Sequence, residues 1–291
     1  MLTIFTDTDS DITLQEANEY GLKLISMPYI IDDVEIKPYE DFTQFDSKSF
    51  YDSLRNGVIP KTCAINTEDY RRYFEPELKE GNDILYIHFS RNMSGSFNAM
   101  DLTIEDLKIK YPDRKIYTID TKGITILTYI IVFEIIDLFK KGYSVEEIIE
   151  WSDKHINHYA TYFFADNLTF FARSGRVGNF SKIMGNLVGI KPIIYMDENG
   201  TMTNISKITG RRKAIMQLVD YFDKLAIDVR AHQIIIGHTD SIENAHILGN
   251  ILQEKYDNSL NIKYVVVNPT AGSHCGPDTV GIAFYAKGKR I

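Results

Sequence analysis

The residues best able to do chemistry lie near the end of the chain. Asn268–Gly281 reads NPTAGSHCGPDTVG and sets His274 beside Cys275 among glycines and prolines. An imidazole can donate or accept a hydrogen bond and titrates near neutrality. Nothing in the segment repeats at helix or strand period, so a shaped loop is expected between two buried strands, Ile262–Val267 and Val280–Ala286. A second candidate is Ser90–Ser96, SRNMSGS, between an apolar run and a helical pattern. Strand, Ser94-Gly95-Ser96, helix makes an anion site, because a helix start offers unpaired N–H groups and glycine lets a ligand approach. It has no Walker lysine, and Asn92 stands where a nucleophile elbow needs its first glycine. Thr62 and Cys63 occupy a turn opened by Pro60. By itself that turn is a loop with a backbone-bonding threonine.

Three further groups carry charge. Thr6–Asp11, TDTDSD, alternates Asp7, Asp9 and Asp11. Such oxygens suit Mg²⁺, but the plainer expectation is that Ser10 or Asp11 caps the next helix. Arg173–Gly178, RSGRVG, offers Arg176 as a fork for a carboxylate or phosphate. Arg211, Arg212 and Lys213 open a helix, where the dipole disfavours cations, so a partner surface or an anionic ligand is one reading and a solvated face the other.

These groups need a scaffold. Strands at Thr3–Thr6, Ile84–Phe89 and Lys115–Ile119 alternate with helices, which implies parallel pairing. Leu22–Ile31 reads as a strand turning at Asp32-Asp33, and Thr161–Phe171 as one long strand. Asp197-Glu198-Asn199-Gly200 between apolar runs signals a hairpin. Ile124–Phe139 is apolar nearly throughout, yet too short and too acidic at Glu134 and Asp137 to span a membrane. It is expected to be a buried helix. The expected fold class is α/β: a parallel α/β domain over 1–158, then a mixed-sheet α+β domain over 159–291.

Composition narrows the function. The 291 residues are 44% hydrophobic, enough for a sizeable core, and the net charge is -8. An acidic chain argues against a general nucleic-acid binder. Two cysteines argue against a disulfide framework, and the opening MLTIFTD shows no signal peptide, so a reducing cytoplasm is expected.

Taken in order, FTDTDSDI, PKTCAIN, SRNMSGSFNAM, YTIDTKG, ADNLTFFARSGRVG and GSHCGPDTVGIAFY resemble the DegV family. Its members include the acyl-carrier subunit of bacterial fatty-acid kinase. The resemblance spans nearly the whole chain. It implies a long-chain fatty acid of the palmitate, stearate or oleate type held between two domains. The carboxylate would meet Thr62, Ser94, the backbone of Gly95 and His274. Arg176, Cys63 and Cys275 would lie close by, and Arg211, Arg212 or Lys213 would meet a kinase catalytic subunit. It implies a carrier with no cofactor or metal of its own, serving fatty-acid metabolism and phospholipid synthesis in the bacterial cytoplasm. It leaves a transient membrane-surface contact open. Cys63-Ala64-Ile65, where the family commonly has Ser-Gln-Pro, and Asp278, where it has Gly, depart from the pattern. Two other classes remain from the residues: a Ser94/His274 acyl-transfer hydrolase or an Mg²⁺-dependent phosphatase-like enzyme, and a carrier or sensor of another amphipathic carboxylate.

Overall fold

Parallel pairing of short apolar strands builds the first sheet. In the computed structural model, which describes residues 1–178, 189–288 and 290, β1 (Leu2–Asp7) lies between β2 (Leu22–Ile25) and β6 (Asp83–His88), and β7 (Ile116–Asp120) pairs with β6. All of these pairs are parallel, so the sheet order is β2-β1-β6-β7. Helices α1 (Leu14–Tyr20), α3 (Thr67–Lys79) and α4 (Ser96–Lys110) connect the strands. The run Ile84–Phe89 is almost wholly buried, as a strand covered on both faces must be.

The second sheet is mixed. It contains β8 (Tyr159–Phe164), β9 (Val177–Gly178), β10 (Ile190–Met196), β11 (Met202–Thr209), β12 (Ile234–His238), β13 (Ile262–Val266) and β14 (Val280–Tyr285). Their order is β13-β12-β14-β8-β10-β11-β9, with parallel pairs only at β12–β13 and β11–β9. The expected hairpin joins β10 to β11. Its tip enters the first half of the chain, where Ser90 Oγ donates to Gly200 O at 2.7 Å and Asn92 Nδ2 donates to Asn199 O. Helices α8 (Arg211–Leu225) and α9 (Ile242–Lys255) cover one face.

The buried helix is α5 (Ile126–Lys140). It packs on β8, β12 and β14, and its apolar side chains belong to the same core as those of the first sheet. An apolar surface facing protein on nearly all sides explains its lack of a polar stripe. Glu134 turns to the rim and bonds His232 Nδ1 at 2.8 Å. Helix α6 (Val145–His155) starts at the Ser144–Glu147 capping box. Among the described residues, no helix is long and apolar enough to cross a membrane.

Four local expectations are corrected. Leu22–Ile31 is two strands, β2 and β3 (Tyr29–Ile31); β3 turns at Asp32-Asp33, both with positive φ, into β4 (Val34–Ile36). With β5 (Lys61–Thr62) these form a three-stranded sheet, packed with α2 (Ser47–Arg55). Thr161–Phe171 is not one strand. The β pattern stops at Phe164, and Asn167 caps α7 (Leu168–Ser174), whose Leu168, Phe170 and Phe171 are all buried. The segment after Asn268 is not a loop throughout but a buried helix, α10 (Pro269–Cys275), capped by the Asn268 side chain with proline in its first turn. Last, neither Ser10 nor Asp11 caps α1. That cap is Thr13, in a capping box with Glu16, and the aspartates are packed inside.

Candidate functional site

Helix α10 explains why His274 can act at a distance. It packs on α7, α2, β3, β5 and the turn after β1, held by Thr270 Oγ1 donating to Met27 O at 2.6 Å and by Tyr51 Oη donating to Val267 O at 2.8 Å. Gly272 sits where an added Cβ would strike the Tyr51 hydroxyl, so this close approach requires glycine. His274, in the last turn, is thereby placed 2.9 Å from Thr62, Nε2 to Oγ1, across 212 residues of sequence. Strand β5, which fixes Thr62, is itself pinned by antiparallel pairing to β3.

Ser94 and Gly95 form the third wall. Ser94 Oγ donates to Ser96 Oγ at 2.9 Å and accepts from Ser96 N at 3.2 Å. Gly95 precedes α4 without a side chain of its own and brings the helix start to the cavity wall, with Ser94 Oγ on the Ser96 N–H. Arg176 enters from the turn after α7. One cavity, of about 80 Å³, is lined by Thr62, Cys63, Ser94, Gly95, Arg176, His274 and Cys275 together. Arg211, Arg212 and Lys213 do not line it. Arg211 and Lys191 both pair with Asp166, each at 2.9 Å, while Arg212 and Lys213 are exposed at the start of α8.

The cavity changes character with depth. Ile124, Met202 and Cys275 also line a second space, of about 30 Å³, between α5 and the mixed sheet, whose other walls include Ile126, Phe163, Met196 and Val267. Gly237 and Gly281 in this wall let Ile126 approach the strands; a Cβ on Gly237 would lie 2.5 Å from Ile126 Cγ2.

Burial governs the charges here. Burial, with Arg176 adding to it, pulls the His274 pKa down to about 4, so the imidazole is neutral at pH 7. Burial, and then the negative field of Glu35, pushes the Cys63 thiol up to about 11. Cys275 is pushed up too, first by burial and then by Asp11 and Asp9, so neither thiol is activated as a nucleophile. His274 faces Thr62, whereas the Ser94 hydroxyl is directed at Ser96. The nucleophile–base pair of the hydrolase alternative is therefore not assembled. Among the described residues, no group of three or more His, Cys, Asp or Glu side chains is arranged to hold a metal ion.

Several cavity residues escaped the sequence reading: Asp9, Met27, Thr270 and Met202. Asp9 carried a signal, the alternating carboxylates, but that pattern pointed toward Mg²⁺ or a cap rather than this wall. The apolar residues carried none beyond membership of strands and helices.

A parallel sheet, a mixed sheet and a cavity with a polar mouth and apolar depth define a two-sheet α/β ligand-site architecture. The model of the DegV family, described as an uncharacterised protein family, matches residues 1–287. A DegV domain-containing protein of Clostridium perfringens is 30% identical over 287 residues, 98% of each chain. The chain belongs to the DegV family. Among solved structures it is similar to the fatty-acid-binding DegV family protein of Streptococcus agalactiae (22% identity, TM-score 0.82, 97% of this chain and 98% of that one). It is also similar to a stearic-acid-binding protein of Eubacterium ventriosum (17% identity, TM-score 0.83, 97% of each chain).

Proposed function

We propose that this protein binds a long-chain fatty acid and presents its carboxylate to an ATP-dependent fatty-acid kinase, which forms the acyl phosphate. The carrying observation is the Thr62–His274 pair at 2.9 Å over the mouth of a cavity that turns apolar with depth. The carboxylate takes donors from Thr62, Ser94, the Gly95 backbone and His274, and Arg176 supplies positive charge at the mouth. The tail enters the space between α5 and the mixed sheet, where each buried methylene contributes about 0.8 kcal/mol. Binding by the S. agalactiae and E. ventriosum proteins supports this assignment. The carrier needs no cofactor, since the kinase supplies ATP, and it works in the cytoplasm. The exposed Arg212 and Lys213, with Arg211 beside them, form the surface offered to that kinase.

Two measurements test the reading. Lipid extracted from natively purified protein and analysed by mass spectrometry should contain a C16 or C18 acid, at about one per chain. With ATP and a bacterial fatty-acid kinase subunit, hydroxylamine should trap the product as an acyl hydroxamate. Recovery of no lipid, with no uptake of added oleate, refutes binding. Bound oleate without hydroxamate refutes the kinase step alone.

A further inference from the structure

The carboxylates of the first loop have no part in this head-group set. Two of the three are engaged by the fold. Asp7 Oδ2 accepts from Tyr86 Oη at 3.0 Å and from Phe89 N at 3.1 Å. Asp11 Oδ1 accepts from Asn268 N at 2.8 Å and Asn268 Nδ2 at 2.7 Å. Asp9 is different in its place: it is 5% exposed and, unlike the other two, it lines the cavity with Ser94, Gly95 and His274. Its Oδ1, like Asp7 Oδ1 and Asp11 Oδ2, is sealed from solvent without a hydrogen-bond partner, and the Asn268 side chain is the donor that reaches its carboxylate. Among the described residues, no cation is paired with it. One amide donor leaves an ionised carboxylate in that setting short of the partners that would make its charge tolerable. A protonated one has an O–H to give and a cavity to give it to.

We infer that Asp9 is a further head-group residue, a neutral carboxylic acid whose O–H donates to one oxygen of the bound carboxylate. The inference rests on the fatty-acid reading above. One proton then lies between two carboxyl groups, an O–H···O⁻ arrangement of the short, strong kind. Ionised, the same side chain would repel the ligand, so affinity should fall as pH rises. Burial, reinforced by Asp7 and Asp11, holds the Asp9 pKa well above the ordinary carboxylate range. The other titratable groups facing this wall are His274 and Cys275 from α10, Cys63 after β5, Arg176, Tyr51 from α2 and Tyr86 from β6. His274 titrates at about 4, Cys63 at about 11, and burial raises Cys275, Tyr51 and Tyr86. Asp7 and Asp11 titrate at about 7, and the choice of variants separates them from Asp9.

The experiment is equilibrium dialysis of radiolabelled oleate against delipidated wild type, Asp9→Asn and Asp9→Ala, from about pH 6 to about pH 9. Wild-type affinity should fall toward about tenfold per pH unit at the alkaline end, the slope of one linked proton. Asp9→Asn keeps a weaker donor that does not ionise. It should bind more weakly than wild type at the acid end, more tightly at the alkaline end, and show a flattened profile. Asp9→Ala should be about tenfold weaker at the acid end and flat, as expected for a lost charge-assisted hydrogen bond. If Asp9→Ala does not fold, the crossing of the Asp9→Asn and wild-type profiles decides. An Asp9→Asn profile parallel to wild type overturns the inference, because the slope then belongs to Asp7 or Asp11. A wild type that takes up no oleate overturns the fatty-acid reading, and this inference with it.

Discussion

In a His274→Ala variant, the imidazole 2.9 Å from Thr62 is gone. With its pKa near 4, that imidazole meets a ligand at neutral pH as a neutral donor. A hydrogen bond to a charged acceptor contributes about 1.5–3 kcal/mol, and about 1.4 kcal/mol is tenfold in affinity. Oleate should therefore bind about 10- to 150-fold more weakly. The loss concerns the head group alone, so the gain per methylene along a series of acids should stay near 0.8 kcal/mol. Thr62 and His274 share one contact, so Thr62→Val should cost less in the His274→Ala background than alone. The assay is equilibrium dialysis with radiolabelled oleate, with thermal melting to establish that the variant is folded. Because His274 is neutral well below pH 7, the ratio of wild-type to variant affinity should be constant from about pH 7 to about pH 9. A protonated imidazole would instead give a ratio that falls as pH rises. An affinity within about twofold of wild type (roughly 0.4 kcal/mol) in a folded variant refutes the head-group role. A variant that fails to fold returns His274 to a structural one.

Other outcomes follow from backbone and burial. Gly276 ends α10 at φ 70 and ψ 176, a conformation open essentially to glycine, and a Cβ there would strike the Phe170 ring. Gly276→Ala should destabilise the fold by about 2–4 kcal/mol, read as a lowered denaturation midpoint; an unchanged midpoint would refute the packing of α10 on α7. Burial raises Asp7 and Asp11 from 3.8 to about 7. The folded state then holds more protons than the unfolded one, so this stability is fully present below about pH 4 and is lost as pH rises through about 7. His238 and His274, lowered to about 4, change stability only below their unfolded value of 6.5. Tm should therefore fall between about pH 6.5 and about pH 8, and Asp11→Asn should lessen the fall; a rising wild-type Tm in that window would overturn the account.

Much of the architecture was legible because it is written in local pattern. Runs such as Ile84–Phe89 bury both faces, so they read as parallel strands without their partners being known. The Asn199-Gly200 turn declares its hairpin by the φ it requires. Other elements were not legible. Helix α10 is short, seven residues, and buried at nearly every position, so no polar face exists to reveal its period. Helix α7 is built from aromatics that favour strands, and its packing beside β9 and α10 overrides that preference. The strands β3, β4 and β5 are two or three residues each, too short to show alternation.

The site divides the same way. The sequence by itself determined the chemistry available, because hydroxyls at Thr62 and Ser94, a glycine before a helix and a lone imidazole are properties of residue type and local order. It also determined that α5 would be buried, since its apolar residues leave only Glu134, Asp137 and Lys140 to face water. Only the tertiary structure decided which groups meet. The Thr62–His274 contact joins positions 212 residues apart, and the Asn268–Asp11 contact joins positions 257 apart. The tertiary structure also decided what Asp9 is. In the sequence it was one of three candidate Mg²⁺ ligands, and it became a buried acid at a cavity wall because α10 and the loop before α5 closed over it. Burial and charge environment are set by contacts between distant segments, and local pattern carries no record of them.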